Sequence, residues 1–260
     1  MVDYLINLLS KKYTIAVLSR GYGRKTSGFL WVEKSRSSKE VGDEPLQIKS
    51  QYNQISVAVC ENRVYGIQQI LKEKPETSLI ILDDAFQHRR IQPKVSLLLS
   101  TYEKPYFKDW MLPSGNLREA RIGANRSDAI VLTKCPENFE KINQKNKPIF
   151  YAQSKYTNPE IQTPVFGFSG LANNAIFEKH LTQNYNLIGF QGFKDHHAYT
   201  QDQMDALAKK ANGATLLCTE KDWIKIKNLT INLEIERVGV SHQITEKDKF
   251  NNWLIQKIES

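Results

Sequence analysis

The sequence predicts an α/β fold: a mostly parallel sheet covered by helices, with a second, smaller α/β lobe. Short apolar runs alternate with segments of helical periodicity along the chain. Strands that are apolar throughout, rather than at every second residue, are typical of parallel sheets buried on both faces. Of the 260 residues, 40% are hydrophobic and 25% charged, a globular composition that excludes disordered and fibrous classes.

The first series of elements opens with a helix at Val2–Leu9, where apolar residues recur at helical spacing. A second helix is predicted around Val64–Leu71. Strands are predicted at Thr14–Leu18, Ile55–Val59, Leu79–Leu82, Leu97–Leu99 and Ala129–Leu132. We expect this series to form one domain over residues 1–155, with its functional loops at the carboxyl ends of the strands.

The second series predicts the smaller α/β lobe over residues 156–260. The strands of this series are predicted at Ile149–Ala152, just before the lobe, and at Val165–Phe168, Leu187–Phe190, Thr215–Cys218 and Ile235–Val240. Its helices are predicted near Ile176–Leu181, Met204–Ala211 and Phe250–Ile258. The boundary between the domains is expected near residues 150–165.

Composition excludes several protein classes. No window approaches 18 uninterrupted apolar residues, so no membrane-spanning helix is predicted. The first residues lack the pattern of a signal peptide, and Cys60, Cys135 and Cys218 lack zinc or disulfide spacing. The cytoplasm is therefore the expected compartment.

The net charge of +8 is concentrated in the first half of the chain. Residues 1–126 contain 20 Lys and Arg against 13 Asp and Glu, a net charge of +7. This excess indicates an anionic partner for that half: a nucleotide, a phospholipid surface or a nucleic acid. Charge alone does not choose among them.

Two acids follow the predicted strand Leu79–Leu82. Asp83 and Asp84 match a Walker B element, in which carboxylates at the end of a strand hold Mg²⁺ and a nucleotide phosphate. The alternative is an ordinary Asp-rich turn at a strand end. Polar and cationic residues at Gln87–Arg90 follow at once and favour the functional interpretation.

Two further places carry titratable groups. In Gly42–Pro45, Asp43 either caps the helix that follows or acts as a general base. In the loop after a predicted strand, Asp195 precedes His196 and His197, and an aspartate beside a histidine orients it and keeps it basic.

The segment Leu112–Glu119 contains Arg118, whose planar fork suits phosphate, and Glu119, a possible metal ligand. The alternative is a solvated Arg–Glu surface pair. Glu220–Asp222 is interpreted as a supporting loop. Gly21–Thr26 is not a Walker A loop, because Arg24 stands where that pattern needs glycine.

These segments occur in an order that resembles the tetraacyldisaccharide 4′-kinase family of lipid A biosynthesis. The resemblance extends from Val2 to about residue 227. It rests on Ser19–Tyr22, Gly42–Pro45, Asp83–Arg89, Leu112–Glu119, Phe168–Gly170, Asp195–His196 and Thr219–Asp222.

The resemblance implies a P-loop-NTPase-like fold and an ATP- and Mg²⁺-dependent kinase. The substrate would be the 4′-hydroxyl of a tetraacyl glucosamine disaccharide 1-phosphate, a glycolipid, at the cytoplasmic face of the inner membrane, to which the enzyme would be peripheral. The implied roles are Asp43 as base with His196 as its partner, Asp83, Asp84 and Glu119 at the metal, Gln87 and Arg118 at the nucleotide, and Arg63 at the anionic substrate.

In this family a phosphate loop directly precedes the helix that matches Val2–Leu9. We therefore expect an N-terminally truncated kinase that lacks its Walker A segment, which puts ATP binding by this chain in question. The alternative is a non-catalytic remnant that binds anionic glycolipid at the membrane surface. Nucleic-acid binding rests on charge alone and is not expected.

Overall fold

The structure is a computed structural model that describes residues 1–142, 147–227, 229–230 and 233–260. Its contacts divide the chain into two compact units, each made of separate parts of the sequence. The first unit is Met1–Tyr13, Asp84–Lys155 and Ser241–Ser260, and the second unit is Thr14–Asp83 and Tyr156–Val240. One break coincides with the expected boundary, and the division into consecutive domains 1–155 and 156–260 stays a prediction.

The described residues contain helices and strands in alternation. The helices are α1 (Val2–Leu9), α2 (Ser38–Val41), α3 (Asp43–Gln51), α4 (Arg63–Glu73), α5 (Asn174–Asn184), α6 (Gln201–Ala211), α7 (Glu220–Ile226) and α8 (Lys247–Glu259). The strands are β1 (Ile15–Ser19), β2 (Leu30–Trp31), β3 (Ser56–Val59), β4 (Leu79–Leu82), β5 (Leu97–Thr101), β6 (Ala129–Thr133), β7 (Ile149–Thr157), β8 (Val165–Ser169), β9 (Leu187–Gly192), β10 (Thr215–Thr219) and β11 (Ile235–Ile244).

The second unit contains two sets of paired strands. One has the order β2-β3-β1-β4, with β1 parallel to both β3 and β4 and only β2 antiparallel. The other runs β11-β10-β8-β9 and is parallel throughout. Strands β1, β8 and β10 are buried at every residue, which explains why their sequences are continuous apolar runs rather than alternating ones.

In the first unit, β5, β6 and β7 pair in parallel. Helices α1 and α8 meet there, where the Tyr4 hydroxyl donates to Asn251 Oδ1 at 2.8 Å and the rings of Phe150 and Phe250 pack edge to face. No helix in the described part of the chain has both the length and the apolar character that crossing a bilayer requires.

The predicted fold class is confirmed: a mostly parallel α/β arrangement with a second, smaller sheet. The largest difference concerns Glu220–Asp222, which was expected to be a loop and is instead the first turn of α7. The Thr219 hydroxyl accepts from the backbone N–H of Asp222, so an N-cap at Thr219 starts this helix.

Candidate active site

Asp43 lies at the start of α3, at the point where the chain leaves α2. The helix is capped by the backbone of Gly42, and no side chain caps it. The alternative in which Asp43 serves as the cap is therefore wrong. Asp43 is instead the first residue of the helix, so its carboxylate lies in the first turn of α3.

Gly42 is required by the local backbone. Its φ of +91° is a conformation that L side chains rarely adopt. A Cβ at this position would lie 3.1 Å from Gly21 Cα and 3.2 Å from the Tyr22 carbonyl oxygen. The loop after β1 thus packs directly against the turn that presents Asp43.

The structure brings His196 to Asp43, as the resemblance implies. His196 Nδ1 donates to Asp43 Oδ2 at 2.9 Å, although the two residues are 153 positions apart in the sequence. His196 follows β9 and has a φ of +55°, and its backbone N–H donates to Asp195 Oδ1 at 2.9 Å. The ring of Tyr22 lies 5.9 Å from the imidazole, centroid to centroid.

Lys225 is a site residue that the sequence reasoning missed. Its Nζ lies 3.1 Å from Asp43 Oδ2, and the two side chains are only 5% and 11% exposed. Helix α7 carries Lys225 and packs against α3, which carries Asp43. The same carboxylate oxygen therefore faces both the imidazole of His196 and a buried cation.

Lys221 adds a second cation one turn earlier on α7. Its Nζ lies 3.6 Å from Glu44 Oε1 and 3.5 Å from Asp195 Oδ1. It thus links the first turn of α3 to the loop that carries His196. Lys221 and Lys225 together offset part of the negative charge of three acids, Asp43, Glu44 and Asp195.

Asp222, the residue after Lys221, binds groups at the ends of β8 and β10 and the side chain of Tyr199. It is fully buried, and its carboxylate accepts from the Gly170 backbone N–H, the Tyr199 hydroxyl and the Thr219 hydroxyl. Burial, reinforced by the neighbouring Asp222 carboxylate, raises the pKa of Tyr199 far above its ordinary value. Tyr199 therefore stays a hydrogen-bond donor at every physiological pH, which holds Asp222 in place.

Asp83 and Arg63 lie at the carboxyl ends of β4 and β3. Asp83 Oδ2 accepts from the Ser19 hydroxyl at 3.3 Å. Arg63 is buried, and its guanidinium donates to the carbonyl oxygens of Cys60, at 2.5 Å, and Asp83, at 3.2 Å. In this structure Arg63 therefore contacts the main chain of two strand ends, and its predicted contact with an anionic substrate stays a prediction.

The other predicted residues belong to the first unit. Asp84 is exposed, with a φ of +45°, and its Oδ2 lies 3.5 Å from Arg118 Nη1, which is also exposed. Glu119 forms ion pairs with Arg89 at 2.9 Å and Arg126 at 2.8 Å. Gln87 is exposed in a turn.

Two arginines beside Glu119 stabilise the charged form of its carboxyl group. The pKa of Glu119 is lowered, mainly by its hydrogen bond from Arg126 and also by that from Arg89. Arg118 and Glu119 do not form a solvated pair with each other, since each has another partner. For Glu119 to bind a metal, one arginine would have to release it.

The residue types fit Mg²⁺ and a nucleotide phosphate in part. Asp84 offers an exposed carboxylate, the hard ligand that Mg²⁺ prefers, and Arg118 an exposed guanidinium suited to phosphate. Within the described ranges, no three or more His, Cys, Asp and Glu side chains are arranged as a ready metal site. One or two protein carboxylates suffice for a Mg²⁺ that is carried by phosphates.

A family model and several known proteins that match this chain have the same description. The family described as tetraacyldisaccharide-1-P 4′-kinase matches residues 1–259. A tetraacyldisaccharide 4′-kinase of Cytophaga hutchinsonii is 37% identical over 90% of this chain and 73% of its own length. One from Flavobacterium johnsoniae is 34% identical over 93% of this chain and 78% of its own.

A solved structure is also similar. The "apo" form of LpxK from Aquifex aeolicus in complex with ATP superposes with a TM-score of 0.79 at 30% identity. The superposition covers 98% of this chain and 82% of that one. The shared fold thus extends over nearly all of the described residues.

Proposed function

The chain belongs to the tetraacyldisaccharide-1-P 4′-kinase family, and on that premise we propose that it is a lipid A 4′-kinase. The reaction transfers the γ-phosphoryl group of ATP to the 4′-hydroxyl of a tetraacylated glucosamine disaccharide 1-phosphate. The enzyme works as a peripheral protein at the cytoplasmic face of the inner membrane, where such an acylated substrate resides.

The observation that carries this proposal is the contact between Asp43 and His196. Phosphoryl transfer asks the protein mostly for positioning, charge neutralisation and one group that accepts the hydroxyl proton. A partly buried carboxylate held by an imidazole at 2.9 Å is a suitable proton acceptor.

The contacts of Asp43 also support one of its two oxygens as the reacting one. His196 and Lys225 both contact Asp43 Oδ2. Among the described residues no hydrogen bond reaches Oδ1, so Oδ1 is the oxygen that receives the proton of the sugar hydroxyl. His196 orients the carboxylate, and Lys225 offsets its charge in a place where water is largely excluded.

The remaining residues complete the proposed site. Bound Mg²⁺ and ATP would supply the phosphoryl group and neutralise the charge that develops on it. Asp83 and Asp84 would hold the metal with Glu119 near it, Arg118 and Gln87 would bind the nucleotide, and Arg63 would act on the anionic substrate. Asp84 and Arg118 are already exposed and 3.5 Å apart.

The test uses protein expressed from its complete reading frame, including any coding sequence upstream of Met1. Phosphate transfer from labelled ATP to the tetraacyl disaccharide 1-phosphate is measured in detergent. Asp43→Asn should lower kcat by about 10²–10⁴-fold, the contribution of a general base. Asp202→Asn is the matched control, because Asp202 is an exposed acid in the first turn of α6 and should leave kcat unchanged.

Normal turnover by the Asp43→Asn protein would contradict the assignment of Asp43 as base. A wild-type protein that binds the glycolipid without phosphorylating it would overturn the kinase proposal and favour a non-catalytic binding protein.

A further inference from the structure

Residues 110–122 of the first unit expose an unusual concentration of large apolar side chains. We call this set the apolar patch: Trp110 is 67% exposed, Met111 49%, Leu112 62% and Ile122 75%. Nowhere else in the described residues are three consecutive large apolar side chains exposed. Contiguous exposed apolar surface marks a binding site more often than scattered single residues do.

The loop that presents the apolar patch has a defined structure. Asp109, itself 4% exposed, accepts hydrogen bonds from the backbone N–H groups of Trp110, at 2.8 Å, and Asn116, at 3.2 Å. The Asn116 side-chain amide donates to the same carboxylate, and Lys104 Nζ lies 3.2 Å from it. A buried carboxylate thus fixes both ends of the loop.

Backbone hydrogen bonds close the same loop. The Leu117 N–H donates to the Trp110 carbonyl, and the Leu112 N–H donates to the Leu117 carbonyl, both at 3.0 Å. Gly115 lies so close to the Trp110 carbonyl that a Cβ there would clash with it. The exposure of Trp110, Met111 and Leu112 is therefore built into the loop and is not the result of fraying.

The charge around the apolar patch is positive. Lys108 and Arg121 are exposed, and the Arg121 guanidinium lies over the Trp110 ring, 5.0 Å from its centroid. Residues 104–126 contain five Lys and Arg against two Asp and Glu, a net charge of +3. Both acids, Asp109 and Glu119, are already neutralised by cations.

We propose that the apolar patch is a docking surface for an anionic phospholipid bilayer. Tryptophan beside arginine and lysine suits the headgroup region, where the ring lies among the upper acyl chains and the cations meet lipid phosphates. Apolar insertion and attraction to anionic lipid add together, and each is worth too little alone for stable binding. The proposal rests on the proposed function in one respect: it names the surface at which the enzyme meets the membrane that carries its acylated substrate.

The test is sedimentation with vesicles of phosphatidylglycerol and phosphatidylcholine, without ATP or glycolipid. The double substitution Trp110→Ser with Ile122→Ser should lower the partition coefficient by at least about tenfold, because two large apolar side chains no longer insert. Leu99→Ser is the matched control, since Leu99 is 46% exposed in β5 of the same unit and should leave partitioning unchanged. Pure phosphatidylcholine vesicles or high salt should weaken binding.

A second measurement does not depend on the folding of the double variant. Acyl chains brominated near the headgroup should quench Trp110 fluorescence in the otherwise unchanged protein. Trp110→Phe stays apolar, so it should still sediment with the vesicles but lose most of the quenching. The three other tryptophans are partly buried, and they provide the baseline.

Three results would overturn the proposal. They are unchanged partitioning of the double variant, equal binding to anionic and neutral vesicles, and a concentration-dependent dimer that these substitutions abolish without any vesicle binding. The last result would assign the patch to a second copy of the chain. Because the assay contains no substrate, a protein that binds vesicles but does not phosphorylate would refute only the proposed kinase activity.

Discussion

Replacing Lys225 with methionine removes one buried positive charge and changes the side-chain packing little. Methionine keeps most of the length and apolar contact of the lysine stem. The carboxylate of Asp43 then keeps His196 at 2.9 Å but loses the ammonium at 3.1 Å. Since both side chains of the ion pair are about nine-tenths buried, water cannot readily replace the lysine.

The size of the effect follows from this geometry. Two unit charges at this separation attract by about 5 kcal/mol at an effective dielectric constant of 20. Removal of one partner of a buried ion pair typically destabilises a protein by about 3–5 kcal/mol, because the other charge is left uncompensated. For a protein of this size that corresponds to a Tm lower by roughly 6–20 °C.

The catalytic consequence is separate from the loss of stability. In the proposed mechanism, loss of Lys225 leaves the Asp43 carboxylate less firmly held with Oδ1 towards the substrate hydroxyl. We therefore expect kcat to fall by about tenfold or more, the equivalent of 1.4 kcal/mol, with the KM for ATP nearly unchanged. The assays are steady-state kinetics well below the Tm of the variant and thermal denaturation followed by circular dichroism.

Two further variants test the role assigned to Lys225. Lys225→Arg keeps the charge and should recover most of the stability and part of kcat, although the guanidinium is larger. Lys227→Met changes the C-cap residue of the same helix and should alter neither quantity. Wild-type stability and kcat in Lys225→Met, or a stable Lys225→Arg protein no better in kcat than Lys225→Met, would refute the role assigned to Lys225.

Two other predictions concern the backbone and the acid response. Gly42→Ala should lower the free energy of unfolding by about 1–3 kcal/mol and also lower kcat, because the alanine would keep a positive φ and its Cβ would press against Gly21. Gly213→Ala is the control: it shares the positive φ but its Cβ meets open space, so it should cost less stability and leave kcat unchanged. Denaturant titration and steady-state kinetics measure the two effects. Glu119→Gln should destabilise the protein at pH 7 by at most about 1 kcal/mol. The pKa of Glu119 is lower in the folded protein than in the unfolded chain, where it is about 4.3. Its contribution to stability is therefore complete above the unfolded pKa and is lost as the pH falls through the folded pKa. Denaturant titrations at decreasing pH should show the stabilities of the variant and the wild type converge. A difference that grows with acidity would contradict the ion pairs with Arg89 and Arg126.

Local sequence patterns predicted most of the elements. Continuous apolar runs marked β1, β8 and β10 because those strands are buried on both faces, a requirement that acts on every residue of the strand. The one clear error, at α7, came from a short polar helix with little apolar periodicity. Its cap, Thr219 followed three residues later by Asp222, was the signal that could have found it.

The candidate site was predicted less completely. Residue types and motif order pointed to Asp43, His196, Asp83 and Asp84, and the family resemblance supplied the pairing of Asp43 with His196. Lys225 was missed because a lysine in a charged helix is ordinarily exposed, and only the packing of α7 on α3 buries it. The contact of Arg63 with a substrate stays a prediction, and the structure adds contacts of its guanidinium with two strand-end carbonyls.

By itself, the sequence determined the α/β class, the approximate positions of the strands and the kinds of chemical group available, because burial and helical periodicity act on neighbouring residues. Apart from the pairing of Asp43 with His196, which the resemblance implied, only the tertiary structure decided which groups meet. Asp43, His196 and Lys225 come from three distant segments, and their contacts of 2.9 and 3.1 Å exist only because α3, α7 and the loop after β9 pack together. Charges acquire a role when folding excludes water from between them, and that exclusion is a property of the packed structure and not of any local stretch of residues.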